Sequence, residues 1–149
     1  MTRLVALAFA AVLAAGCAGA RQPYANDLAK NVEVRPALSK VRAAVHIHRV
    51  DAQCRTQYAG SLDLDRSSVP VGLPSGEWSY LVFDFSSSGL LTGSRQMRKE
   101  TLLRVRPNHR YEIDATYRDD IYNVVMRERP AKGAARELPL LDFASCGKA

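Results

Sequence analysis

From Val41 onward, apolar and polar positions alternate with a period of two. Val41, Ala43, Val45 and Ile47 alternate with Arg42, His46 and His48, which is the pattern of a strand with one face buried. A second strand is expected around Tyr58 to Leu64, with a turn at Asp65-Arg66-Ser67-Ser68. Val69 to Leu73 is interrupted by Pro70 and Gly72, which suits a short edge strand. The turn-forming run Leu73-Pro74-Ser75-Gly76-Glu77 then leads into Trp78 to Phe85, the most apolar stretch of the chain. Leu81, Phe83 and Phe85 alternate there with Tyr80, Val82 and Asp84, predicting a central strand with both faces largely covered. The Ser/Gly-rich segment Ser86 to Ser94 reads as a long loop. Its apolar pair Leu90-Leu91 either folds back on the domain or presents an apolar tip. Thr101 to Arg106 is a further strand, although Arg95 to Leu103 is compatible with helix as well. Tyr111 to Tyr117 and Ile121 to Arg129, joined through Arg118-Asp119-Asp120, form the clearest hairpin. Beyond Pro130 a linker, Ala131 to Ala135, precedes a short extended piece at Leu138 to Phe143.

About seven short strands with turns every ~8–12 residues define the fold class: all-β, an antiparallel β-sandwich of immunoglobulin- or transthyretin-like kind. The N-terminus is different in character. Met1-Thr2-Arg3 is followed by an apolar run from Leu4 to Ala15 and then by Gly16-Cys17. One positive charge, about a dozen apolar residues and a small-residue exit make up a secretory signal peptide. The run is shorter than the roughly 20 residues a spanning helix needs. Leu13-Ala14-Ala15-Gly16-Cys17 resembles the lipobox of bacterial lipoproteins, with Ala14 where that family usually has leucine. The resemblance implies cleavage before Cys17, a diacylglycerol on its thiol and acylation (palmitate) of the new amine. Ala18, in place of a retaining aspartate, implies the outer membrane, periplasmic side. The competing reading is an ordinary signal cut after Ala18-Gly19-Ala20. The expected organisation is a signal peptide at residues 1–16, a flexible lipid-anchored tether at 17–39, and a single β-sandwich domain at 40–149.

Cysteine usage follows from that anchor. The chain has three cysteines, and acylation of Cys17 leaves Cys54 and Cys146 in an oxidising compartment, where a disulfide is expected. No C-x-x-C pair is present, so thiol–disulfide catalysis is not expected. The formal charge is +6, and loss of Arg3 with the signal leaves +5, favouring acidic surroundings such as anionic headgroups or cell-wall polymers. Basic residues are scattered without a dense cluster or a known motif, and no nucleic-acid partner is expected.

Four constellations could carry chemistry. His46 and His48 lie two apart on one strand and so share a face, as two imidazole ligands of zinc can. A third ligand would have to come from His109 or Asp51, and no metal is expected. Asp63 with Asp65, and Asp119 with Asp120, are paired carboxylates, but aspartate is also a common turn former. Ser86-Ser87-Ser88 lacks a G-x-S-x-G elbow. Tyr58, Tyr80, Tyr111, Tyr117 and Tyr122 all fall in predicted strands, where packing explains them and a shared exposed face would suit stacking on a sugar or peptide.

The segment Val69 to Phe85 looks like the core of many Gram-negative β-sandwich lipoproteins and is similar to PEGA-like surface modules, in which a proline-glycine turn precedes an aromatic strand. That resemblance implies a fold and an envelope location, with no reaction attached. The expected function is a non-enzymatic binding or structural module of the cell envelope, held to the membrane by its lipid and meeting an envelope protein or cell-wall partner. No cofactor is expected. A protective inhibitor of a periplasmic hydrolase, acting through Ser86 to Ser94 or Arg118 to Asp120, is the alternative. A small envelope enzyme is the third.

Overall fold

In the computed structural model of the protein, residues 21–89 and 93–148 are described. Within them the chain forms nine strands in two packed sheets: β1 (Val32–Leu38), β2 (Arg42–Val50), β3 (Thr56–Asp63), β4 (Val69–Val71), β5 (Trp78–Gly89), β6 (Gly93–Arg104), β7 (His109–Arg118), β8 (Ile121–Pro130) and β9 (Arg136–Leu138). One sheet has the order β4-β1-β7-β8-β9 and the other β3-β2-β5-β6. Every strand pairing is antiparallel except that of β1 with β7. The all-β sandwich read from the alternating pattern is the fold. Residues 1–16, expected to be a signal peptide, Cys17 and the pair Leu90-Leu91 lie outside the described residues.

The alternation translates directly into a core. On β2 and β5, Val45 faces Phe83 and Ile47 faces Leu81 across the ladder, and all four are buried between the sheets. Val34, Tyr111, Ile113, Val124 and Met126 supply the opposing layer. The outer face of β5 is covered only in part: Val82 is buried, whereas Tyr80 and Asp84 are half-buried. On the outer face of the larger sheet, Arg35 of β1 bridges Glu112 at 3.0 Å and Asp114 at 2.9 Å on β7, and Arg129 joins Glu112 from β8 at 3.1 Å.

Two local expectations are corrected and one open alternative is decided. First, the tether expected at 17–39 is folded wherever it is described. Gln22 to Tyr24 run parallel to β3, with Ser61 donating to the Gln22 carbonyl at 2.8 Å and Tyr24 N–H donating to Ser61 O at 2.9 Å. The Tyr24 hydroxyl then donates to Gly72 O at 2.7 Å, and β1 enters the sheet between β4 and β7. Pro36 fits within β1 because the β4 ladder covers only Val32–Val34, so the missing N–H breaks no bond with that neighbour. Second, the loop expected at Ser86–Ser94 is ladder: Ser86 pairs Gln96, Ser87 pairs Arg95 and Ser88 pairs Ser94. Serine is neutral enough toward strand that pairing with a long partner overrides its loop preference. Arg95–Leu103, compatible in sequence with either strand or helix, is strand.

The ends of the chain close the sandwich. The N-terminal segment runs from the β3 edge of one sheet to the β4 edge of the other. At the opposite side β9 pairs with β8, and Leu141 O then accepts from Leu102 N–H of β6 at 2.8 Å. Phe143 continues onto Tyr80, ring centroids 5.0 Å apart. Cys146 ends the path in a disulfide with Cys54, at a Cα–Cα distance of 6.0 Å, as the cysteine count leads one to expect.

Candidate functional site

His46 and His48 do share the outer face of the smaller sheet, and each has a local partner. His46 Nε2 lies 3.1 Å from Asp84 Oδ2, and the His48 ring stands 5.2 Å from Tyr58 and 5.7 Å from Tyr80. Burial, together with the charges of His46 and Arg98, holds the His48 imidazole below its usual range. His109 belongs to the other sheet, with Nδ1 2.8 Å from Pro107 O. Asp51 is occupied by the turn after β2, accepting from the N–H groups of Gln53 and Arg55, both at 2.9 Å. Among the described residues no three His, Cys, Asp or Glu side chains are grouped to hold a metal ion.

The other constellations are likewise structural. Asp63 is exposed and pairs with Arg21 at 3.3 Å. Asp119 and Asp120 have φ of 52° and 63° between the last paired residues Arg118 and Ile121, a two-residue hairpin turn of the type that requires positive φ at both centres. The tyrosines do not share a face. Tyr58 and Tyr80 lie outside the smaller sheet, Tyr117 and Tyr122 stack at one end of the sandwich with centroids 4.6 Å apart, and Tyr111 is in the core.

What the structure adds is a cavity of about 440 Å³ at the side closed by the C-terminal segment, between β6 and the β8–β9 edge. Leu102, Val105, Met126, Leu138 and Leu141 give it apolar walls. At its base sits Glu128, 3% exposed. Val124, Met126 and Glu128 occupy successive inward positions of β8, so alternation itself carries this carboxylate into the core row. Its charge is met from three sides. The Tyr111 hydroxyl donates to Oε1 at 2.9 Å, and Arg136 Nε, from β9, donates to Oε2 at 2.6 Å. Arg106 and His109 approach Oε1 at 3.8 and 3.9 Å. Tyr111 oxygen in turn accepts from Arg106 N–H at 3.0 Å. Burial pushes the Glu128 carboxyl upward, but the Tyr111 and Arg136 hydrogen bonds and the arginine charges outweigh it and hold the group below its ordinary value. Burial raises the Tyr111 phenol above its own.

At the mouth, Arg104 lies over Trp78, with its guanidinium carbon 5.9 Å from the ring centroid, and its Nε donates to Gly76 O at 2.9 Å. Arg106 and Arg136 thus approach a single buried carboxylate, and Arg104 lines the same cavity. A concave site of this size with mostly apolar walls and a few convergent polar groups suits a small ligand or an inserted side chain. Sequence reasoning did not single out Glu128, although a carboxylate in register with Val124 and Met126 was the available signal. The chain matches no known protein family and no curated protein.

Proposed function

We propose that this chain is a non-enzymatic binding module of the bacterial cell envelope, anchored to the outer membrane on its periplasmic side by lipid on Cys17, and that it receives an envelope component in the cavity between β6 and β9. The observation that carries this reading is the cavity itself: apolar walls, arginines at the mouth, and one acid at the base whose charge is already paired. A glutamate held ionised by Arg136 and Tyr111 is poorly placed to act as a general acid, because proton transfer calls for a pKa near the working pH. The envelope location is supported by the signal-like N-terminus with its lipobox and by the Cys54–Cys146 disulfide, a bond that persists in oxidising compartments. Arg21, four residues after Cys17, pairs with Asp63, so the anchor would hold that edge of the domain within about 14 Å of Cys17 even at full extension. The tether is thus short.

Growth of producing cells with an alkynyl palmitate analogue, followed by membrane fractionation, tests the location. The native chain is expected to carry the label and sediment with membranes, and Cys17→Ser to lose both properties. A native chain that stays unlabelled and soluble would remove the anchor from the proposal.

A further inference from the structure

We infer that the cavity between β6 and β9 takes an amphipathic anion: a single unbranched hydrocarbon chain lying against its apolar walls, with a carboxylate-type head group at the arginines of the mouth. This rests on the binding-module reading and specifies its ligand.

Charge decides the sign of the head group. Among the described residues Glu128 is the only acid lining the cavity, against three arginines. It is not free to receive a cation, because Tyr111 and Arg136 already occupy its two oxygens. Arg136 is spent in that pair. Arg106 reaches Glu128 only at 3.8 Å and is mostly exposed, and Arg104 is held over Trp78 with its Nε on a backbone carbonyl. Guanidinium donors therefore remain on Arg104 and Arg106, both of which line the cavity, and a planar fork of this kind matches a carboxylate two-pronged. Shape and polarity decide the body. Leu102, Leu138 and Leu141 line the walls while Trp78 flanks the entrance, so a chain without polar groups is the complement that leaves none unpaired. A sugar or a polar peptide would strip its hydroxyls or amides of water with no wall partner to replace it. The C-terminal segment that closes the cavity meets the sandwich through the three-residue ladder of β9, the Leu102–Leu141 bridge and the Cys54–Cys146 disulfide.

The test uses membrane vesicles from cells producing the full chain, with three photoactivatable diazirine probes of equal chain length: an alkanoate, the corresponding alcohol and the trimethylammonium analogue. Cross-linked peptides are mapped by mass spectrometry. The alkanoate is expected to label the segments around Leu102–Arg106 and Leu138–Leu141, to be competed by unlabelled dodecanoate, and to label about tenfold more than the cationic probe, the effect of one charge-assisted contact. The variant Leu138→Trp, which fills the cavity, should lose this labelling at an unchanged melting temperature. Arg104→Gln/Arg106→Gln alters only exposed side chains, so the fold survives, and it should abolish the preference for the anion while leaving labelling by the alcohol. Equal labelling by all three probes, labelling spread over the surface, or anion preference surviving in the double arginine variant would overturn the inference. These results are independent of the palmitate experiment: a cavity that labels in a chain lacking lipid removes the anchor alone, and an anchored chain whose cavity stays unlabelled removes the ligand alone.

Discussion

Glu128 shows how one residue can set the chemistry of a site. It occupies a core position of β8 at 3% exposure, and an unpaired carboxylate there would be costly. Arg136 and Tyr111 remove that cost by direct hydrogen bonds. Exchanging Glu128 for Gln replaces charge-assisted bonds, worth roughly 1.5–3 kcal/mol, with neutral ones of roughly 0.5–1.5, so a loss of about 1 kcal/mol is expected at neutral pH. The pH dependence has a definite sign. Because the folded-state pKa of Glu128 lies below its ordinary value, its contribution is complete above the unfolded value, near ~4.3, and is lost as pH falls through the lowered one. Urea titrations at about pH 7 and about pH 3 should show the native chain losing more stability than Glu128→Gln; equal losses would contradict the pairing. Tyr80 offers a spectroscopic counterpart. Burial and its hydrogen bond to Glu100 raise its phenol to about 12, so Tyr80→Phe should remove a late step from the alkaline absorbance titration of the six tyrosines.

Among the elements, the N-terminal segment departs furthest from what periodicity suggested. Its strand β1 is only seven residues with a central proline, and its pairing with β7 is parallel, a contact no local pattern announces. Two measurements test its place. Gly60 has φ +136°, and a Cβ there would lie 2.7 Å from Tyr24 Cα. Gly60→Ala should therefore push the segment off β3 and cost more than about 1 kcal/mol in chemical denaturation, combining backbone strain with lost packing. A neutral substitution would show that the segment does not dock. Limited trypsin digestion of the native chain is expected to spare the Lys30–Asn31 bond, because the Asn31 side chain is tied to the Leu73 backbone by two hydrogen bonds; rapid cleavage there is the behaviour of a loose tether. By contrast, the β7–β8 hairpin was legible in full. Alternation defines both strands, and the Asp-Asp pair between them adopts the positive φ values a two-residue turn demands.

Across the whole molecule, the two terminal segments lace the edges of the sheets, and the disulfide fastens the second of them. Cys54 and Cys146 are 92 residues apart, and closing a loop of that size removes roughly 4–5 kcal/mol of unfolded-state entropy, with measured values commonly ~2–5. Reduction, or Cys54→Ala/Cys146→Ala, should lower the denaturation midpoint accordingly. Because the segment ending at Cys146 also roofs the cavity, hydrogen exchange at Leu102, which donates to Leu141 O, should accelerate more than exchange at Ile47 in the sandwich centre. Uniform acceleration would mean that the bond stabilises the fold without ordering the roof.

The sequence by itself determined the fold class, most of the strands, the β7–β8 turn and the pairing of Cys54 with Cys146. Each of these follows from a local period, a turn preference or a count within one compartment. Tertiary structure alone decided that β1 belongs to the domain, that Ser86–Gly89 extends a strand, and that the cavity exists. Those depend on partners far along the chain: Pro36 is tolerated because β4 stops short of it, the serines pair because Arg95 and Gln96 lie opposite. The site itself divides the same way. The inward carboxylate of Glu128 is written in the alternation of β8, but whether it becomes a reactive acid or a paired anion under an apolar cleft depends on Tyr111 and Arg136, brought to it by the packing of β7 and β9 on either side.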